Sequence, residues 1–235
     1  MSSTIPVHAV IQARMSSARL PGKILTQVHG ATLLEHLVSR LERCGGLDGI
    51  VIATSSDAAD NPVPEFARAR GLRCHRGSLD DVASRLLEAA HRFGIEHLAR
   101  ISGDSPMLDP AILDQALDIY RGNDADLVTN VQQRSFPKGQ SVEVFSRTVL
   151  EDALKKDMTA ADREHVTPHF YRHPDRYRIL NFAYPGNRGD AQLSVDTEAD
   201  LRRFSRIMER LGPPYWQHGL EDLLSAYDAT DGSSP

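Results

Sequence analysis

Three cationic side chains lie within ten residues near the amino end of this 235-residue sequence. Arg14, Arg19 and Lys23 follow the apolar residues Val10 and Ile11, and a Pro-Gly pair before the lysine favours a turn. A strand that leads into a cationic loop is a common way to bind nucleotide phosphates in open α/β sheets. The loop matches neither the P-loop pattern nor the dinucleotide pattern G-x-G-x-x-G. A solvated basic turn is the alternative interpretation.

Two aspartates occupy comparable positions later in the sequence. Asp104 follows the apolar segment 97–102, and Asp196 ends the short segment that begins at 192. Carboxylates at the carboxyl ends of strands face the ligand crevice of an α/β sheet. Alternatively, Asp104 could form an Asx turn, and Asp196 or Thr197 could cap the next helix. Two carboxylates opposite a cationic loop are the arrangement expected for magnesium-assisted nucleotidyl transfer, because magnesium prefers oxygen ligands and substrate phosphates.

A third candidate site lies at the start of a predicted helix, 81–93. Ser78 is the predicted cap, and the unpaired backbone N–H groups of the first turn could bind a base or a ribose. Arg85 would contact the nucleotide if its face of the helix turns inward. Alternatively, Asp80 and Asp81 suit the positive end of the helix dipole, and Arg85 forms an i, i+4 pair with Asp81.

The elements that must position these residues alternate along the first half of the chain. Apolar segments typical of strands are followed by amphipathic segments typical of helices, which predicts parallel strands joined by helices. The predicted strands are 7–13, 49–55, 72–76, 97–102, 125–130, 142–145, 177–183 and 192–195. The predicted helices are 33–43 with a capping box at Thr32 and Glu35, 81–93, one that begins at Pro110 after the cap Asp109, 147–156, 162–171, 198–211 and 219–226.

The chain length suits one α/β domain with a substantial core, and two full domains would be cramped. We expect that domain to cover 1–229 and the polar tail 230–235 to be disordered. After residue 130 the alternation gives way to a polar stretch and then a short strand. This change predicts an inserted subregion at about 131–190 that leaves the sheet and shapes a substrate pocket.

Composition excludes several classes of function. A formal net charge of −5 argues against general nucleic-acid binding, which requires a basic surface. No segment approaches the roughly 18 apolar residues of a membrane span, and the amino end lacks a secretory pattern, so we expect neither membrane association nor export. Cys44 and Cys74 are isolated in the sequence, which fits a reducing cytoplasm.

Several motifs resemble one known family. The sequence I-Q-A-R-M-S-S-A-R-L-P-G-K-I-L at 11–25 closely resembles the opening of the SpsF-like cytidylyltransferases. These enzymes are named for spore-coat polysaccharide synthesis and are related to those that make CMP-sialic acid and CMP-KDO. Further matches are R-G-S-L-D-D-V at 76–82, G-D-S-P at 103–106, F-P-K-G-Q-S-V-E-V-F at 136–145, R-E-H-V-T-P at 163–168 and V-D-T-E-A-D-L at 195–201. Ser141 departs from the family, in which an aspartate is usual.

The resemblance implies a Rossmann-like, three-layer nucleotidyltransferase fold related to the GT-A type, a homodimer, and Mg²⁺ bound by Asp104 and Asp196. The implied catalytic residues are Arg14, Lys23, Asp104 and Asp196. The implied nucleotide-binding residues are Gln12, Ala13, Arg14, Arg19, Lys23, Ser55, Gly77, Ser78, Arg85, Ser102 and Gly103. The implied acceptor-binding residues are Lys138, Gln140, Glu143, Glu164 and His165, and the last two could instead lie at a dimer interface.

The predicted activity is transfer of CMP from CTP to an acidic acceptor, with release of pyrophosphate. The acceptor would be a keto-deoxy sugar acid, a sialic-acid-like sugar or a phosphonate, and Lys138 together with Ser141 favours an anionic one. One alternative is a glycosyltransferase that uses the D-x-D sequence at 124–126, and another is a non-catalytic nucleotide sensor. The sequence leaves open the identity of the acceptor and the choice between cytosine and uracil.

Three histidines are spaced four residues apart, at His165, His169 and His173. One face of a continuous helix would carry all three, and zinc is the metal that such a stripe suggests. Pro168 would disturb that helix, and no zinc motif supports the site. A satisfied or solvated role for these histidines is therefore the favoured interpretation.

Overall fold

The computed structural model describes residues 5–231, in which seven strands form one sheet flanked by helices. In chain order the strands are β1 (Val7–Gln12), β2 (Gln27–Val28), β3 (Ala31–Thr32), β4 (Gly49–Ser55), β5 (Arg73–Gly77), β6 (His97–Ser102), β7 (Leu127–Thr129), β8 (Glu143–Ser146) and β9 (Ile179–Asn181). The helices are α1 (Leu33–Leu41), α2 (Pro62–Ala69), α3 (Val82–Phe93), α4 (Pro110–Gly122), α5 (Arg147–Lys156), α6 (Ala160–His165), α7 (Pro168–Tyr171), α8 (Glu198–Leu211) and α9 (Leu220–Asp231). Short 3₁₀ turns span Lys23–Leu25 and Ala58–Asp60.

The sheet order is β5-β4-β1-β6-β8-β7-β9, and β2 pairs with β3 in a separate hairpin. Within residues 5–231, β8 runs antiparallel to both of its neighbours, and every other pairing in the large sheet is parallel. The α/β prediction with a mostly parallel sheet is therefore confirmed. The expectation that residues near 142–145 leave the sheet is wrong, because β8 lies between β6 and β7. Its reversed direction brings Glu143, at its amino end, level with Arg100 of β6.

Side chains alternate across the strands and form two apolar layers. On β1, Val7, Ala9 and Ile11 belong to one buried cluster, whereas Val10 belongs to the other. Helices α1, α4 and α8 supply the first cluster, and α3, α5 and α7 supply the second. Each fully buried leucine or phenylalanine in these layers contributes about 1.5–3 kcal/mol of burial free energy. The resulting three-layer arrangement leaves the carboxyl edge of the parallel strands uncovered for a ligand.

Local capping explains where most helices begin. Thr32 caps α1, Asp109 caps α4 with Pro110 in the first turn, and Thr197 caps α8 in a capping box with Asp200. The predicted cap Ser78 is wrong for α3. Asp81 caps that helix instead, by accepting a hydrogen bond from the backbone N–H of the residue three positions later.

Three other predicted elements differ from the structure. The predicted helix 162–171 is divided into α6 and α7, because Val166 adopts a φ of 67° and a proline begins the second helix. Residues 192–195 do not form a strand and are held only by a single bridge between Lys138 and Gln192. Helix α9 extends to Asp231, so the tail predicted to begin at residue 230 begins later, and 232–235 lie outside the described residues. Helix α2 was not predicted.

None of the helices within residues 5–231 has both the length and the hydropathy that a bilayer span requires.

Candidate active site

Lys23 lies at the centre of the candidate site. It begins the 3₁₀ turn that follows Gly22, whose φ of 75° suits a glycine. Its Nζ donates to Asp104 Oδ2 at 3.1 Å, to Asp196 Oδ1 at 2.8 Å and to the backbone oxygen of Val195 at 2.7 Å. The side chain is 8% exposed, so these three oxygens replace the water that a buried ammonium would lose.

The two aspartates therefore meet at the site although they come from separate segments. Asp104 follows β6, and Asp196 precedes α8. Their side chains are 25% and 27% exposed, which leaves oxygen atoms accessible to a ligand. Asp196 does not cap α8, since Thr197 does, and the carboxylate of Asp200 instead accepts from the backbone N–H of Asp196 at 3.1 Å. The cap network thus holds the backbone beside Asp196 in place.

The two arginines of the cationic loop are more mobile ligands than Lys23. Arg19 pairs with Asp196 at 3.2 Å while its side chain stays 65% exposed. Arg14 approaches Glu164 at 3.8 Å, and both of those side chains are about half exposed. Such exposed pairs contribute less than about 1 kcal/mol. Both guanidinium groups can therefore turn to an anionic ligand at low cost.

The adjacent strands β1 and β6 end at this site. The backbone N–H of Gly103 donates to the backbone oxygen of Gln12 at 2.9 Å. A Cβ at Gly103 would lie 3.0 Å from that oxygen and 3.1 Å from Ala13 Cβ. The small residue after β6 therefore allows the two strand ends to lie side by side, which places Ser102 and Gly103 beside the cationic loop.

Two adjoining cavities share the aspartates. The loop cavity is lined by Gln12, Arg14, Ser16, Ser17, Ala18, Arg19, Lys23, Ile24, Ser102, Gly103, Asp104 and Asp196. The insertion cavity is lined by Arg100, Ser102, Asp104, Ser105, Val131, Arg134, Lys138, Gly139, Ser141, Glu143, His165, Thr167, Pro168, Tyr171, Ser194 and Asp196. Ser102, Asp104 and Asp196 line both. A group transferred from one cavity to a molecule in the other would pass these two carboxylates.

A third, smaller cavity lies behind the loop and contains Arg85, together with Gln12, Ala13, Arg14, Val82, Arg100, Glu164 and His165. Arg85 is 1% exposed, and its Nη1 donates to the backbone oxygens of Ser78 and Leu79. Burial, and then the nearby charge of Arg14, lowers the pKa of Arg85 to about 10, so the guanidinium remains protonated at neutral pH. The i, i+4 pair with Asp81 does not form, because Asp81 instead accepts from Arg163 at 2.7 Å.

Gly77 and Ser78 shape this third region through their backbone. A Cβ at Gly77 would lie 2.7 Å from Glu88 Oε2 and 3.1 Å from Arg85 Cγ, so no larger residue fits. Ser78 holds Arg85 with its carbonyl oxygen, and its hydroxyl accepts from the backbone N–H of Asp81 at 3.0 Å.

Ser55 does not reach any of the three cavities. It is fully buried, and its hydroxyl donates to Asp60, a residue that sequence reasoning missed. Asp60 is also fully buried, and its Oδ1 accepts from the backbone N–H of Met15 at 2.5 Å. Asp60 therefore fixes the start of the cationic loop. In the sequence it looked like an ordinary residue before a helix, with no local sign of this contact across 45 positions.

Glu143 lies at the wall of the insertion cavity with its charge compensated. It is 4% exposed, accepts from Arg100 Nη1 at 2.5 Å and accepts from the Tyr171 hydroxyl at 2.6 Å. Burial, and then the adjacent carboxylate, raises the pKa of Tyr171, so the phenol remains a donor. Sequence reasoning missed both Arg100 and Tyr171, since their roles depend on β8 lying next to β6.

The remaining predicted acceptor residues divide into two groups. Lys138 and His165 line the insertion cavity, and His165 also faces the third cavity with Glu164. Gln140 does not reach the cavity. It is fully buried, its Nε2 donates to Met107 and its Oε1 accepts from Asp109 N, so both amide atoms are used structurally.

The histidine stripe is interrupted, because His165 ends α6 and His169 lies on α7. His169 is fully buried and stacks on His173 with ring centroids 4.6 Å apart. Burial, and then the nearby His173, lowers the pKa of His169, which favours its neutral form. Within residues 5–231, no group of three or more His, Cys, Asp or Glu side chains is arranged to hold a metal ion.

A divalent cation at the aspartates would therefore need oxygens from a substrate as well. Asp104 and Asp196 supply two hard carboxylate ligands that one Nζ atom can reach at the same time. Magnesium is commonly bound by one or two carboxylates plus substrate phosphates and water. The residues present fit this mode of binding.

Comparisons with known proteins agree with the geometry. A family model described as cytidylyltransferase matches residues 8–212. The spore coat polysaccharide biosynthesis protein SpsF of Bacillus subtilis is 30% identical over 212 residues, which cover 86% of each protein. The 3-deoxy-manno-octulosonate cytidylyltransferase of Geobacter sulfurreducens is 31% identical over 130 residues, 54% of this chain and 50% of that enzyme.

A solved cytidylyltransferase structure from Leptospira borgpetersenii has a TM-score of 0.92 and 27% identity to this chain, with 97% of this chain and 96% of that one covered. This match confirms the predicted Rossmann-like α/β fold. The family match spans most of the sequence, including the cationic loop and both aspartates. The chain therefore belongs to the cytidylyltransferase family, as an SpsF-like member related to the CMP-KDO synthetases, and is a CTP-dependent nucleotidyltransferase.

Proposed function

We propose that this enzyme transfers CMP from CTP to an acidic acceptor and releases pyrophosphate, with Mg²⁺ bound by Asp104 and Asp196. The observation that carries the proposal is that both aspartates line the loop cavity and the insertion cavity. The triphosphate would lie in the first and the acceptor in the second. Two relatives support the acceptor class, since one is named for polysaccharide biosynthesis and another for 3-deoxy-manno-octulosonate.

The protein contributes charge and position to this reaction. Arg14, Arg19 and Lys23 would neutralise the triphosphate, and the shared aspartates would fix the α-phosphate between the cavities. A bound magnesium ion would supply Lewis-acid polarisation of the phosphoryl oxygens. Phosphoryl-type transfer relies on positioning and electrostatic stabilisation, so the absence of a nucleophilic triad from the proposal is consistent with the chemistry.

The glycosyltransferase alternative is not favoured by the placement of its motif. Asp124 is fully exposed, and Asp126 accepts from the backbone N–H of Arg178 at 2.8 Å. Both precede β7, at the amino end of a strand parallel to β6, so they lie at the opposite edge of the sheet from the cavities. A sensor without turnover would not require the two aspartates to face both cavities. Homodimerisation and a cytoplasmic location stay predictions.

Pyrophosphate release tests the proposal directly. The purified enzyme is incubated with Mg²⁺, CTP or UTP, and a panel that contains 3-deoxy-manno-octulosonate, N-acetylneuraminate and hydroxyalkylphosphonates. We expect release that depends on CTP, an acid and the metal, together with a CMP-linked product detected by mass spectrometry. Turnover of a nucleotide-sugar would support glycosyl transfer, and CTP binding without any release would support a sensor.

Asp60 provides a prediction about the loop. Asp60→Asn removes the carboxylate that holds Met15, so we expect CTP binding to weaken by about 10-fold, the size of one hydrogen bond to a charged group. Isothermal titration calorimetry measures the change. The matched control is Asp57→Asn, because Asp57 caps Ala59 in the same turn at 2.9 Å and makes no contact with the loop. Equal CTP affinity in the two variants would contradict the prediction.

A further inference from the structure

Two cations on one wall of the insertion cavity have no anionic partner. Within residues 5–231, neither Arg134 nor Lys138 has a carboxylate within 4.0 Å. Arg134 Nη2 donates to Ser141 Oγ at 3.3 Å, and its Nη1 is buried without a hydrogen-bond partner. A buried N–H donor without a partner loses about 1–3 kcal/mol of hydration. A ligand atom that accepted from Nη1 would recover it.

The other charges in this cavity are already compensated. Asp104 and Asp196 pair with Lys23, and Glu143 pairs with Arg100. Arg134 and Lys138 are therefore the uncompensated charges among the described lining residues, and both are positive. The cavity has the electrostatic character of an anion-binding site at the end that these two residues form.

The backbone holds this end of the cavity against the segment that leads to Asp196. The N–H of Lys138 donates to Ala191 O at 2.9 Å, and its carbonyl accepts from Leu193 N at 2.8 Å. Gly139 adopts a φ of 91°, and a Cβ there would lie 2.5 Å from Ser194 N. The loop that carries the two cations is thus packed directly on the chain that carries the aspartate.

Arg134 is held in a similar way from its other side. The backbone oxygen of the next residue, Ser135, accepts from Arg188 N at 2.6 Å, and the Ser135 hydroxyl accepts from Tyr184 N at 2.7 Å. Gly189 lies close enough that a Cβ would be 3.3 Å from Arg134 O. The position of the guanidinium is therefore set before a ligand arrives, which lowers the cost of binding.

We propose that Arg134, together with Lys138, binds an anionic group of the acceptor that is separate from the oxygen that attacks the α-phosphate. The acceptor is then a hydroxyl compound that also carries a carboxylate, phosphonate or phosphate. A compound whose only oxygens belong to the anion itself would not reach both the guanidinium and the aspartates. This inference rests on the proposed function for the attacking oxygen, but the anion site can be tested without turnover.

Direct binding provides the first test. The probes are 3-deoxy-manno-octulosonate, N-acetylneuraminate, 2-hydroxyethylphosphonate and glycerol phosphate, titrated into wild-type enzyme and Arg134→Gln by calorimetry. We expect at least one probe to bind the wild type and to bind Arg134→Gln about 10- to 100-fold more weakly, as for loss of a charge-assisted hydrogen bond. The probes that bind identify the anion. Arg134→Lys should recover part of the affinity.

The controls separate this role from a structural one. Arg202 is an exposed arginine on α8, paired only with Glu198 at 3.8 Å, so Arg202→Gln should bind each probe like the wild type. CTP affinity should be unchanged in Arg134→Gln, which also shows that the variant is folded. Equal probe affinity in the wild type and Arg134→Gln, or no binding of any probe to the wild type, overturns the proposal.

Turnover distinguishes failure of the anion site from failure of the proposed function. Pyrophosphate release with an unchanged acceptor KM in Arg134→Gln would leave the cytidylyl transfer intact and remove the anion site. Probe binding that depends on Arg134, without pyrophosphate release from CTP, would leave the anion site intact and remove the proposed reaction.

Discussion

Replacement of Lys23 by methionine is expected to lower kcat/KM for CTP by about 10²- to 10³-fold, the loss typical of one preorganised electrostatic contact to a reacting group. The side chain is buried and its Nζ lies within hydrogen-bond distance of both aspartates. Methionine keeps the approximate volume but leaves two neighbouring carboxylates without their cation. Arg19→Met should cost less, because Arg19 is 65% exposed and only one of its contacts is lost.

Steady-state release of pyrophosphate measures this effect, with CTP affinity measured separately by calorimetry. Lys155→Met is the matched control, since Lys155 is a 70% exposed lysine that pairs with Glu151 on α5. We also expect a lower melting temperature for Lys23→Met. The loss should be smaller than the ~3–5 kcal/mol cost of breaking a fully buried ion pair, because the aspartates are about a quarter exposed. Wild-type kinetics for Lys23→Met would contradict the assigned role.

Asp196→Asn is expected to lower kcat by about 10²- to 10³-fold, the loss typical of one preorganised electrostatic contact in the transition state. Asparagine preserves the shape of the side chain but removes the charge that a divalent cation needs. The independent readout is electron paramagnetic resonance of Mn²⁺, added with CTP. We expect the variant to bind Mn²⁺ at least about 10-fold more weakly, as is usual when the support of a metal site is altered.

Asp124→Asn tests the same chemistry at the rival motif. Asp124 lies at the opposite edge of the sheet and should change neither turnover nor Mn²⁺ binding. If Asp124→Asn reduced both while Asp196→Asn reduced neither, the metal would belong to the D-x-D sequence and the glycosyltransferase alternative would be favoured.

Elements with strong local signals could be predicted from the sequence. The strands 49–55 and 97–102 and the helices 147–156 and 198–211 have the predicted bounds, because apolar periodicity and capping residues lie within each segment. The position of β8 could not be predicted. Strand neighbours are set by packing across the whole sheet, and a short apolar run looks the same whether it joins the sheet or leaves it.

The candidate site shows the same division. The cationic loop and the two aspartates were predicted because each has a recognisable residue type at a strand end. Ser55 and Gln140 were assigned to ligands, yet both use their polar atoms within the protein. Sequence does not show whether a polar side chain is already satisfied by a neighbour. Asp60 was missed for the converse reason, since its partner Met15 is distant in sequence.

The pairing of Lys23 with Asp104 and Asp196 has a consequence for the order of folding. These contacts join residues 81 and 173 positions apart. Contacts of long sequence separation form late, because the chain must first lose the entropy of closing a large loop. During synthesis the amino-terminal loop and its anchor emerge early, but the site is complete only when the segment before α8 has docked. Nucleotide binding therefore selects the fully folded chain and stabilises its two ends together.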